Sequence, residues 1–135
     1  MLQSRQSVLR RFWNPVVPSA QVSDKPVGLT YFNHPVVVWR DSKGVIHAQE
    51  DRCQHRTAKL SGGWISNDEK GEGLTCPYHG WRYGAGGACV HIPQQPELSA
   101  RICAARARAR AYFAEDRYGF VWVCLSPEPL AGILL

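Results

Sequence analysis

A chain of 135 residues, 44% hydrophobic and 20% charged, is long enough for one domain with a true core and too short for two. Nine prolines and twelve glycines favour turns and strands over long helices, and no apolar run reaches the length of a membrane-spanning helix, so no membrane attachment is expected. The net charge of +5 is compatible with ordinary solubility or with docking to an acidic partner.

In chain order, residues 1–11 carry Arg5, Arg10 and Arg11 and no acid, and read as a frayed or helical lead-in rather than a transit peptide. Residues 12–17 form a first strand. Pro15, with no N–H to give a ladder, demands an edge or a bulge there. A polar connector, 18–26, leads to two strands within 27–40, broken near Asn33-His34-Pro35. The run Val36-Val37-Val38-Trp39 is apolar without alternation, as expected in the interior of a sandwich. Asp41-Ser42-Lys43-Gly44 is a hairpin turn, with Gly44 free to take a positive φ, and 45–49 returns as a strand.

The middle of the chain holds two short loops, Cys53-Gln54-His55 and Cys76-Pro77-Tyr78-His79. Between them, 66–73 is wholly polar and glycine-bearing and reads as a surface turn between strands. Residues 83–87 form a tight connection and 88–92 a short strand. Residues 93–96 are extended or turn-like, and 97–105 resists assignment. Arg106, Arg108 and Arg110 alternate with alanines, which gives a strand over 106–113 with one basic face, although Ala and Arg also favour helix. So few arginines, with no interleaved aromatics, read as a solvated face and not as a nucleic-acid surface. Residues 118–125 form a last strand, ended by Pro127 and Pro129. The division is thus a lead-in (1–11), one domain (12–129) and a tail or truncated linker (130–135).

Each central loop offers one thiol and one imidazole. Cys-x-His and Cys-x-x-His do not place both ligands on one helical face, and Pro77 and Gly80 keep the second loop out of helix. Two mixed pairs suit a centre with unlike metal positions. A [2Fe–2S] cluster with Cys53 and Cys76 on one iron and His55 and His79 on the other fits. A structural zinc site is the plainer alternative, but zinc fingers commonly pair Cys with Cys and His with His. Gly62, Gly63 and Gly80 are expected to bring backbone N–H groups close to cluster sulfides, and Trp64, Tyr78 and Trp81 to keep water off. Of the other cysteines, Cys124 reads as core, Cys89 as packed near the second loop and Cys103 as buried. No pattern asks for disulfides, which fits a reducing, cytoplasmic setting. His34, His47 and His91 stand alone, with no set of two His and a carboxylate for a mononuclear iron. His34 and His47 suit surface or hydrogen-bonded roles, and His91 either packs or supports the second loop.

The segments Cys53-Gln54-His55-Arg56 and Cys76-Pro77-Tyr78-His79-Gly80-Trp81 resemble the cluster-binding loops of Rieske iron–sulfur proteins, above all the amino-terminal domain of ring-hydroxylating and related non-haem iron oxygenases. Phe12-Trp13-Asn14-Pro15, Val36-Val37-Val38-Trp39-Arg40, Val90-His91-Ile92-Pro93 and the segment from Arg117 to Val123 carry the same likeness. The resemblance implies an all-β, Rieske-type antiparallel β-sandwich with a small cluster-binding subdomain of two loops. The chain lacks the extra cysteine in each loop, and the serine after the second His-Gly, that mark the cytochrome-complex type. A low-potential cluster is therefore expected, whose midpoint falls further at alkaline pH.

The resemblance also implies the partners. A reductase or ferredoxin donates electrons, and the mononuclear-iron domain of an oxygenase accepts them, with His79 facing the acceptor. Such oxygenases form oligomers. On this reading the chain is the domain at which electrons enter an oxygenase, an enzyme only when joined to its catalytic domain. The alternative is a stand-alone Rieske ferredoxin. Arg56 is expected to tie down the first loop or to touch a partner.

Overall fold

The computed structural model describes residues 11–53, 58–94, 109–127 and 129. Every long element is a strand: β1 (Asn14–Pro18), β2 (Val27–Tyr31), β3 (His34–Arg40), β4 (Ile46–Glu50), β5 (Trp64–Asp68), β6 (Gly71–Thr75), β7 (Arg82–Tyr83), β8 (Cys89–His91), β9 (Ala111–Arg117) and β10 (Phe120–Cys124). Short 3-10 turns lie at Ser19–Gln21, Leu60–Gly62 and Ala85–Gly87. All pairings are antiparallel. A six-stranded sheet runs β1-β10-β9-β4-β3-β2, and a four-stranded sheet runs β5-β6-β7-β8. The all-β expectation holds; the first predicted loop lies on the crossing from the large sheet to the small one, and the second joins β6 to β7 within the small sheet.

The valine run has its reason in β3. Val36 and Val38 point into an aliphatic core with Val17, Val22, Ile46, Ala48, Val121, Val123 and Leu125. Val37 and Trp39, on the opposite face, join a second core with Leu60, Leu74, Tyr83, Ile92 and the two loop cysteines. Side chains alternate along a strand, so only a strand covered on both faces reads as continuously apolar. Pro15 sits in the edge strand β1, where the register against β10 slips between Pro15 and Val17. This is the bulge that a residue without an N–H requires.

Both tight hairpins of the large sheet use two-residue turns with positive φ at each central residue: Phe32 and Asn33 between β2 and β3, Tyr118 and Gly119 between β9 and β10. That geometry matches the right-handed strand twist. The predicted break at 33–35 therefore falls slightly late, and His34 and Pro35 are already in β3. Two larger corrections concern polar stretches. Residues 66–68 and 71–73 are paired strand, not turn, and the reversal is confined to Glu69 and Lys70. The backbone ladder holds the hairpin together, and Asp68 and Glu72 bond Arg82 and Ser42. Likewise β9 starts at Ala111 and runs on to Arg117. Arg110 lies just before it, and Arg106 and Arg108 lie outside the described residues. The strand is fixed by its pairing with β10 and β4, and of the described part of the Arg/Ala alternation Ala111 pairs with Gln49 and the Arg110 carbonyl accepts from the Glu50 N–H.

Candidate metal centre

The first loop leaves β4 at Glu50 and enters the 3-10 turn at Leu60. Its base is closed by the Cys53 N–H donating to the Ala58 carbonyl at 2.7 Å. Outside that rung, the Asp51 carboxylate accepts from the Ser61 N–H at 2.7 Å and from the Ser61 hydroxyl at 2.6 Å. The second loop joins β6 to β7. Cys76 N–H donates to the Trp81 carbonyl at 2.8 Å and Gly80 N–H to the Cys76 carbonyl at 3.1 Å, with Gly80 at φ +75°. The loops abut through glycine: a Cβ on Gly63 would lie 1.8 Å from the Thr75 carbonyl oxygen and 3.2 Å from Pro77. Only a residue without a side chain permits that approach.

These folds bring two of the four predicted ligands together. Cys53 and Cys76 are 1% and 2% exposed, not disulfide-bonded, and members of the same core. Burial pushes the Cys76 thiol up and the adjoining Cys53 adds to that, while the backbone N–H groups of Tyr78 and His79 pull it back. The Tyr83 hydroxyl lies 3.4 Å from the Cys53 sulfur and can donate to it as a thiolate. Hydrogen-bond donors are thus aimed at two crowded sulfurs that cannot both ionise cheaply without a cation between them. That donor set fits a thiophilic metal centre.

His79 lies on the exposed arm of the second loop, beside Tyr78, with ring centroids 6.4 Å apart. Its carbonyl accepts from the Gln94 side-chain amide at 2.6 Å. His55 and Arg56 lie outside the described residues. Among the described residues, no three His, Cys, Asp or Glu side chains converge on one metal position. Two buried sulfurs with an exposed histidine on the same loop suit a two-iron centre with unlike irons.

Several expectations change in detail. The N–H groups of Gly62, Gly63 and Gly80 are bonded to the carbonyls of Lys59, Leu60 and Cys76, so they are not donors to cluster sulfides. The backbone N–H groups turned to sulfur are those of Tyr78 and His79. Trp64 and Tyr78 are 52% and 74% exposed and form a surface instead of a shield, while Trp81 packs on the inner core. Cys89 is buried beside the loop cysteines as expected, but it is disulfide-bonded. Cys103 lies outside the described residues, and Cys124 is buried and not disulfide-bonded. His91 shares a face with Arg82, whose neighbour Tyr83 turns to Cys53, so its ring lies on the side away from the sulfurs. His47 is hydrogen-bonded to Asp41 at 2.8 Å and rests on Trp39. Sequence reading gives Tyr83, Asp51 and Ser61 no role. Their only signal is their place at the mouths of the two loops.

The model of the Rieske [2Fe–2S] domain matches residues 12–104. The chain belongs to that family. A Rieske domain carries a [2Fe–2S] cluster and transfers electrons. Its relatives include the chloroplast protein TIC 55 of Arabidopsis thaliana, 41% identical over 117 residues, or 86% of this chain and 21% of that protein. Methylxanthine N3-demethylase NdmB of Pseudomonas putida is 38% identical over 126 residues, 89% of this chain and 34% of the relative. The solved structure of Pseudomonas putida CBB5 NdmB superposes with a TM-score of 0.86 at 34% identity, covering 96% of this chain and 39% of that one. This Rieske domain thus spans about a fifth to two-fifths of the length of these relatives. Among the described residues no helix is long and apolar enough to cross a membrane.

Proposed function

We propose that this chain is the domain through which electrons enter a Rieske oxygenase, and that Cys53 and Cys76 hold one iron of its cluster while His55 and His79 hold the other. The body of that domain is residues 12–129. The observation that carries the reading is the contrast within the second loop, where the Cys76 sulfur is buried against Cys53 while His79 stands at the surface three residues on. A bound [2Fe–2S] cluster supplies one-electron oxidation and reduction. The protein's part is to hold the sulfur side dry and the imidazole side accessible. Leu60, Leu74, Ile92 and Trp39 exclude water from the sulfurs. The N–H groups of Tyr78 and His79 and the Tyr83 hydroxyl stabilise the thiolates.

Near the loops Tyr78 and Trp64 are exposed. Exposed aromatic anchors suit a transient electron donor, a reductase or ferredoxin, and the +5 charge favours the approach of one with an acidic surface. The mononuclear-iron domain of an oxygenase is the acceptor, and the oxygenase subunits among the relatives support this. Electron paramagnetic resonance of the dithionite-reduced protein tests the ligand set, with a signal of mixed nitrogen and sulfur ligation expected. Iron-loaded protein that is colourless or not reducible would refute it. A redox titration should place the midpoint near the lower end of the roughly −150 to +300 mV Rieske range.

A further inference from the structure

Asp51 is 5% exposed and forms no ion pair among the described residues. A buried carboxylate without a cation is costly unless its oxygens are hydrogen-bonded. Here both oxygens are used on one residue, Ser61, at 2.7 and 2.6 Å. The Asp51 N–H is itself spent on the Pro35 carbonyl at 3.0 Å, which fixes the aspartate to β3. From the other side, Gly28 of β2 closes on the pair. A Cβ there would fall 2.6 Å from the Ser61 hydroxyl and 2.9 Å from the carboxylate. The large sheet therefore grips the turn Leu60–Gly62 through one anionic clasp, and the segment between the two ends of the clasp contains Cys53.

A neutral side chain is enough to close a loop. A charge retained two residues from a buried sulfur does something more. Reduction adds one negative charge to the centre, so a fixed anion nearby disfavours it.

We propose that Asp51 is a positioning residue of the redox centre: its two bonds to Ser61 set the loop that carries Cys53, and its negative charge, with no cation against it among the described residues, holds the midpoint potential down. The inference rests on the ligand reading above, and its consequences are separable from that reading. Both Asp51 oxygens are engaged by Ser61. Asp51 acts through the loop and through its field.

The experiment compares Asp51→Asn and Ser61→Ala with the unaltered 135-residue chain, each loaded with iron and sulfide. Three quantities are read: midpoint potential, the reduced-state paramagnetic signal, and hydrogen exchange of the peptide spanning Ser61. Asn keeps the shape and removes the charge. It should favour the reduced form by about tenfold, a rise of about 59 mV for one electron, with the signal shape retained and exchange at Ser61 faster. Ala at Ser61 keeps the charge and removes one donor. It should quicken exchange equally and leave the midpoint unchanged or lower.

A purely structural clasp predicts equal shifts in both variants, and that result would overturn the electrostatic half. Unchanged exchange in both would overturn the positioning half. If Asp51→Asn fails to hold a cluster, the sign of the Ser61→Ala shift still decides, since a rise contradicts the proposal. Cys53→Ser separates the two layers: a variant that keeps the native signal removes the ligand reading, whatever Asp51 does.

Discussion

The two halves of this domain are stabilised in different ways. The core inside the six-stranded sheet is aliphatic, built from Val17, Val36, Val38, Ile46, Val121 and Val123, and it needs nothing but burial. The core under the four-stranded sheet contains two thiols, a tryptophan and a tyrosine, and its periphery is fastened by polar clasps. Arg82, itself buried, spans Asp68 at 2.7 Å and the Gly71 carbonyl at 2.7 Å. Glu72 accepts from both the backbone and the hydroxyl of Ser42 across the gap between the sheets. One half is folded by hydrophobicity, and the other is completed by what it binds.

The sharpest break between them should come from Cys76→Ala. On the proposed ligand set this variant loses one of the two sulfurs that hold the cluster, and metal binding and local folding are coupled. Visible absorbance should vanish, and amides of β5 to β8 should exchange much faster while those of β3, β4 and β10 stay protected. Equal loss of protection in both sheets would show a single cooperative unit. The mirror experiment is Val38→Ala, which opens a cavity in the aliphatic core. It should cost on the order of 2 kcal/mol in denaturant unfolding, with the visible spectrum unchanged.

A finer probe is Tyr83→Phe. Removing a hydrogen bond to a thiolate loses about 1 kcal/mol and shifts the oxidised-to-reduced ratio about fivefold. Stabilisation of sulfur charge favours the reduced form, so the midpoint should fall while the fold and the visible bands remain.

The smallest effect expected is with mild acid. His91 is 7% exposed on β8, and burial, aided by Lys70 and Arg82, holds its pKa below the usual 6.5. Its folded value is depressed, so its contribution is full above about pH 6.5 and is lost as the pH falls through the lower value. Thermal melting between about pH 7.5 and about pH 5.5 should show this decline in the four-stranded half, and His91→Gln should flatten it.

The same division governs what the sequence discloses. Aliphatic alternation and an uninterrupted valine run are local signals, so β3, β4 and β10 and the bulge at Pro15 can be read directly. The loop cysteines are legible because a thiol so close to an imidazole, repeated in two loops, suits little besides a metal centre. Residues 66–73 and 114–117 mislead because a strand made of polar residues is specified by its partner strand, and the chain carries no local trace of that partner. The clasps escape for a related reason. Asp51 and Ser61 are ten residues apart and ordinary in composition. Their pairing exists only once β2, β3 and the 3-10 turn are assembled. The glycines deceive in a third way: their type is read correctly as permitting close approach, but what approaches Gly63 is the Thr75 backbone and Pro77.

Because Val37 and Trp39 form the floor under Cys53 and Cys76, while their neighbours Val36 and Val38 roof the opposite compartment, one strand is a party wall. A minimal electron carrier cannot be trimmed from this protein by cutting at Asp51 and Gln94, since the excised piece would leave its own floor behind. Anyone wishing to miniaturise the redox lobe must supply a substitute for β3, whereas the β5–β6 hairpin tip can be lengthened or recoded without touching it.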